Sequence, residues 1–127
     1  MREMGWDVLF QDLPAGVRTI ADVPEDFRPK MLGRRHELSR RIVRALPEVD
    51  FSDPAWGVLD GSDFSVEINI GASAVTDAIM LHVHGKGGGA IEAVRRIARA
   101  LERPAIDCRD GEILDFDRER APLRALH

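Results

Sequence analysis

Cysteine is nearly absent from this chain of 127 residues. Cys108 stands alone, so no internal disulfide can form, and a small scaffold stapled by disulfides is excluded. Long apolar runs are missing as well. The richest, "DAIMLHV", is broken at once by His84, Gly85 and Lys86, far short of the roughly 20 residues a membrane helix requires. The opening "MREMGWDVLFQDLP" carries acids where a secretory signal would have an apolar core. The expectation is a soluble protein of a reducing, cytoplasmic compartment with no membrane contact. Aromatic residues are scarce, the formal net charge is −4, and no nucleic-acid-binding motif is present, so nucleic acid is not an expected partner. Internal repeats, low-complexity segments and complete metal or catalytic signatures are also lacking.

What remains is the composition of an ordinary globular domain, 44% hydrophobic and 31% charged. A chain of this size buries roughly two-thirds of the surface its unfolded form exposes, and needs no metal or crosslink to fold. We read one domain, 1–127, with 117–127 as a loosely packed tail. Its charge is unevenly spread. From Glu48 to Asp77 there are seven acids and not one lysine or arginine, whereas Lys30 to Arg44 holds six bases against the single acid Glu37. Such a split bears on steering and on the choice of partner.

The order of elements follows from periodicity. "MGWDVLFQDL" alternates Trp6, Val8 and Phe10 against Asp7 and Gln11, as a half-buried strand does. A long loop from Pro14 to Lys30, with three prolines and room for one helical turn, leads to a helix predicted over Leu32 to Leu46. After the acidic connection "PEVDFSDPA" come the strands "WGVL" and "FSVEINI" about an Asp-Gly turn, then "AIMLHVHG". Ile91, Val94, Ile97, Ala98 and Leu101 mark a second helix ended by Pro104, and "AIDC" and "ILDF" form a last hairpin. The order β-α-β-β-β-α-β-β predicts an α+β two-layer sandwich: a mainly antiparallel sheet of five to six strands with both helices on one face, and at most one parallel crossover, through the second helix.

Alternation then separates the two faces of the sheet. Phe64, Val66, Ile68 and Ile70 share one side with Ile79, Leu81 and Val83, and both sets belong under the helices. Setting Ile68 against Leu81 places Glu67 opposite His82 and Ser65 opposite His84. The preceding hairpin is expected to bring Trp56 opposite Glu67 and Val58 opposite Ser65. The other face therefore collects Trp56, Val58, Ser65, Glu67, Asn69, Met80, His82 and His84.

Two chemistries fit that face. Trp56, Glu67, Asn69, His82 and His84 would form a docking surface for a protein partner, an aromatic anchor set among acids. Alternatively Glu67 and His82 would act as an acid–base pair in a small-ligand enzyme. No metal or other cofactor is expected, but His82, His84 and Glu67 are the residues that would ligate one. The long loop 14–30 would cover such a site. In "GKGGGA", Lys86, Gly87 and Gly88 are the candidates for an anion contact; the spacing matches neither standard phosphate loop, and glycines that reverse the chain account for it better. Cys108 is read as a core residue sharing a face with Ile106, and Asp107 as facing the open side. The functional expectation is a protein-binding or regulatory module, inhibitor-like or homodimeric, with the small-molecule or metal-dependent enzyme as its alternative.

Overall fold

The computed structural model describes residues 5–85 and 88–116. Lys86 and Gly87 of the glycine join, and the tail 117–127, lie outside the described residues. Among the described residues nine strands and two α-helices run in the order Gly5–Gln11 (β1), Gly33–Arg34 (β2), Arg35–Ala45 (α1), Asp50–Asp53 (β3), Trp56–Asp60 (β4), Phe64–Asn69 (β5), Val75–Thr76 (β6), Ala78–Gly85 (β7), Gly88–Leu101 (α2), Ile106–Asp107 (β8) and Glu112–Ile113 (β9). Seven strands form one sheet in the order β3-β4-β5-β7-β1-β8-β9, antiparallel at every pairing, and β2 and β6 form a separate two-stranded piece. The α+β two-layer architecture is as the sequence predicts. The sheet gains one strand over the expected five to six, and β2 and β6 were not foreseen at all.

Alternation drives this arrangement. On β7, Ile79, Leu81 and Val83 are fully buried while Met80, His82 and His84 between them are half-buried. Val66 and Ile68 repeat the pattern on β5, and Val8 and Phe10 on β1. Burying those apolar residues needs a second layer, and the two helices supply it. Leu38 and Ile42 of α1, and Ala90, Ala93, Val94, Ile97, Ala98 and Leu101 of α2, join the strands in one apolar cluster. The first helix begins at Arg35 and not at Leu32, because residues 32–34 are already committed to extended pairing: the Leu32 N–H donates to the Thr76 carbonyl at 2.7 Å. The second ends as Glu102 turns left-handed, at φ 56°, and the Arg103 N–H donates back to the Ala98 carbonyl, just before Pro104.

Because β7 and β8 both run antiparallel to β1, they are parallel to each other, with β1 lying between them. The expected crossover through α2 is therefore a split one, and the strand nearest the start of the sequence occupies the inside of the sheet. The long loop after β1 contains a single 3₁₀ turn, Ile20–Asp22, and is fastened at both ends. Lys30 donates its N–H to Asp12 at 2.9 Å, and residues 18–20 pair with Gly111–Ile113, extending the sheet beyond β9.

One glycine of the join is required by the fold. Gly85 has φ +92°, and a Cβ there would come within 2.5 Å of the Asp63 carbonyl oxygen, where the β4–β5 turn packs against the end of β7. Gly88, in the first turn of α2, faces open space. Gly85→Ala is therefore expected to destabilise the protein by about 1–3 kcal/mol. Gly88→Ala should be neutral or gain a few tenths of a kcal/mol through the unfolded chain. Urea denaturation of the two variants beside the parent distinguishes them.

Candidate functional site: the outward face of the sheet

The helices cover one face of the sheet, and the residues of interest lie on the other. The register at its centre is the expected one: Ile68 faces Leu81, Glu67 faces His82 and Ser65 faces His84. The β4–β5 hairpin is displaced by two residues from expectation, with Trp56 opposite Asn69 and Val58 opposite Glu67. The turn closes later than the Asp-Gly pair suggested, with the Gly61 N–H donating to the Phe64 carbonyl, and this leaves Phe64 in the strand with its ring against the core. A shift of two keeps every side chain on its predicted face, so Trp56 and Val58 still point outward.

Asp7 is the residue that sequence reasoning missed. In β1 it stands opposite His82 on the side away from Glu67, and its Oδ1 lies 2.9 Å from His82 Nδ1. His82 thus takes Asp7, and not Glu67, as its carboxylate partner. Trp56 reaches across β5 and stacks on the same imidazole, with ring centroids 5.7 Å apart and planes 21° from parallel. The imidazole is held from two sides: a carboxylate fixes Nδ1 and an indole covers its plane. Its side chain retains 31% of its possible exposure, and that of Asp7 retains 48%. Glu67, left out of this arrangement, makes no side-chain hydrogen bond or ion pair among the described residues.

The other candidates separate. His84 lies along β1 against Gly5, where an added Cβ would stand 3.5 Å from its Nδ1. Among the described residues no group of three or more His, Cys, Asp or Glu side chains is placed to hold a metal ion, so His82, His84 and Glu67 do not converge as a ligand set. Of the three anion candidates only Gly88 is described, and Lys86 and Gly87 lie outside the described residues. The loop 14–30 is held at the β9 edge and makes no hydrogen bond to the face that carries His82.

The last hairpin is inverted relative to expectation. Asp107 pairs opposite Val8 and points to the helix side, where it is buried, while Ile106 pairs opposite Leu9 and points outward with Cys108. The reason is an ion pair that the apolar pattern hides. Arg109 grips Asp107 through Nε and Nη2, at 3.0 and 2.7 Å, and lies over the Trp6 ring, 4.8 Å from its centroid. Cys108 is exposed and not a core residue, with its thiol 4.0 Å from Met80 Sδ. Desolvation, with the negative charges of Asp7 and Asp107, pushes the thiol's pKa up and so disfavours the thiolate that a nucleophile would need.

Charge is the dominant property of the face. Among the described residues the outward positions of β3, β4, β5, β7 and β1 hold Asp50, Asp53, Asp60, Glu67 and Asp7, two histidines, and no lysine or arginine. Hydrogen bonds from the Ser52 hydroxyl and N–H hold the Asp50 carboxyl below its ordinary pKa, which keeps it ionised. Beside the Trp56 row, Leu9, Met31, Asn69, Val75 and Met80 line a recess of about 370 Å³, with Met31 and Val75 well exposed. A larger cleft of about 570 Å³ lies elsewhere, between α2 and β9. Its arginines, Arg18, Arg95 and Arg99, are offset by Glu112 and Asp115 in its own lining, and Glu92 binds Arg95. No helix among the described residues is long and apolar enough to cross a membrane. Comparison with protein-family models, with curated proteins and with solved structures finds no match.

The Asp107–Arg109 pair makes a pH prediction. Arg109's hydrogen bonds hold the Asp107 carboxyl below its ordinary pKa, so the pair's contribution to stability is present above the ordinary carboxylate range, near pH 4. It is lost as pH falls through the depressed value. Thermal unfolding followed from neutral to acid pH should show a steeper loss in the parent than in Asp107→Asn, which lacks the titrating group.

Proposed function

We propose that the chain is a protein-binding module whose outward sheet face docks a partner protein with a basic surface. The observation that carries this reading is the charge of the face: five carboxylates on four of its five strands, with no lysine or arginine at an outward position among the described residues. Such a surface accelerates encounter with a positively charged partner and discourages an acidic one. It also disfavours a homodimer built face to face, which would bring two acidic surfaces together. Within the acids, Trp56, Val58, Leu9 and Met80 provide the apolar centre that binding surfaces use for affinity.

A second reading, acid–base chemistry on a small ligand, rests on one feature. An imidazole anchored at Nδ1 by Asp7 has Nε2 left for proton transfer. The same pair serves the binding reading by fixing the plane on which Trp56 rests, and the acidic surroundings favour that use.

Comparative capture from the source lysate tests the proposal. Parent protein, a Glu67→Lys/Asp60→Lys variant and a Glu37→Lys control on the helix layer are immobilised, at low and high ionic strength. A basic protein recovered by parent and control, with its association rate reduced about tenfold or more by the face substitutions and by salt, is the expected result. Recovery indifferent to the face substitutions contradicts the reading.

A further inference from the structure

Each face of the sheet carries a tryptophan with a carboxylate near it in the register, and only on the helix side does a cation of the described residues join the two. On the helix side, Arg109 lies over the Trp6 ring, 4.8 Å from its centroid, while its Nε and Nη2 bind the buried carboxylate of Asp107. Indole below and carboxylate beside satisfy both the flat face and the fork of one guanidinium. On the outward face, the Trp56 indole reaches across β5 to the imidazole of His82, and Glu67 stands directly opposite His82 on β5 itself. Glu67 lies on the same face as the indole, one diagonal step away across the β4–β5 pair, and has no cationic partner among the described residues.

We propose that Trp56 and Glu67 receive an arginine side chain of the partner protein, with the guanidinium on the exposed part of the Trp56 indole and Glu67 as its counter-ion. The inference rests on the reading that the outward face binds a basic partner, and it names the group that makes the central contact. Three features support the assignment, the first of them favouring arginine over lysine. A planar guanidinium stacks on an indole and forks to a carboxylate, whereas an ammonium is a compact, strongly hydrated charge. The indole is preorganised: Asp7 fixes His82, and His82 fixes Trp56, so little side-chain freedom is left to lose on binding. The recess lined by Leu9, Met31, Asn69, Val75 and Met80 begins beside Asn69, the cross-strand neighbour of Trp56, leaving room for an apolar side chain of the same segment.

The test is a two-dimensional NMR titration of the full chain with hexa-arginine and hexa-lysine peptides of equal charge. It follows the two indole N–H signals and the backbone amides, and Trp6, whose face is already taken by Arg109, is the internal control. The expected result is that the Trp56 indole and the amides around Glu67 shift, that hexa-arginine binds at least threefold tighter than hexa-lysine, and that Trp56→Leu abolishes the difference. Glu67→Gln, which leaves the indole in place, should weaken both peptides and weaken hexa-arginine more. An unchanged Trp6 signal reports that each variant is folded. Equal affinity for the two peptides at this face overturns the arginine assignment and leaves the basic-partner reading standing. No binding by either peptide, or shifts confined to the helix layer, removes both.

Discussion

The constraint on which the rest of the structure depends is the pairing of β5, β7 and β1 in a register that sends their fully buried side chains, Val66, Ile68, Ile79, Leu81, Val83, Val8 and Phe10, to one side. Val66 with Val83 and Trp6, Ile68 with Leu81 and Val8, and Ile79 with Phe10 lie in rows beneath the helices. A slip of one residue in any of the three strands would bury Glu67, His82 or Asp7 and expose the core, so the register is strongly specified. Once it is set, the opposite face is determined without further choice. The row Val58, Glu67, His82 and Asp7 across four strands is a by-product of core formation.

That by-product is chemically organised. A half-buried imidazole could simply face water, but here it bridges a carboxylate from one end of the sequence and an indole from the middle. The result is an aromatic surface of fixed orientation in a field of carboxylates. The same pieces arranged to do chemistry would need a reacting group aimed at the free ring nitrogen or a third metal ligand. Neither is found among the described residues, where His84 turns toward Gly5 and the surroundings of Cys108 push its thiol pKa up. A fixed aromatic within like charges is better suited to recognition, where rigidity lowers the entropic cost of binding and the charges select the partner.

How much of this was legible in the sequence depended on whether local pattern carried the information. The helices, the central strands and the pairing of Glu67 with His82 follow from alternation between neighbouring segments. The partnership of Asp7 with His82 does not, because β1 and β7 are about seventy residues apart and no local signal says that the first strand lies inside the sheet. The edge strand β3 was hidden for a different reason: "DFSD" has a single apolar residue, Phe51, whose ring packs where Gly57 leaves space. In the last hairpin the apolar alternation of Ile106 and Cys108 misled, since an arginine that neutralises Asp107 can turn a carboxylate inward. The glycine join was legible where backbone geometry demanded glycine, at Gly85.

The claim that the outward face is the working surface is tested most directly by oxidative footprinting of the chain, free and bound to its captured partner. Trp56, Met80 and Met31 report the outward face, and the helix layer and Trp6 serve as reference. The account predicts oxidation of Trp56, Met80 and Met31 in the free chain and loss of that reactivity in the complex, with the reference residues unchanged. Protection of the helix layer with Trp56 and Met80 still reactive would contradict it.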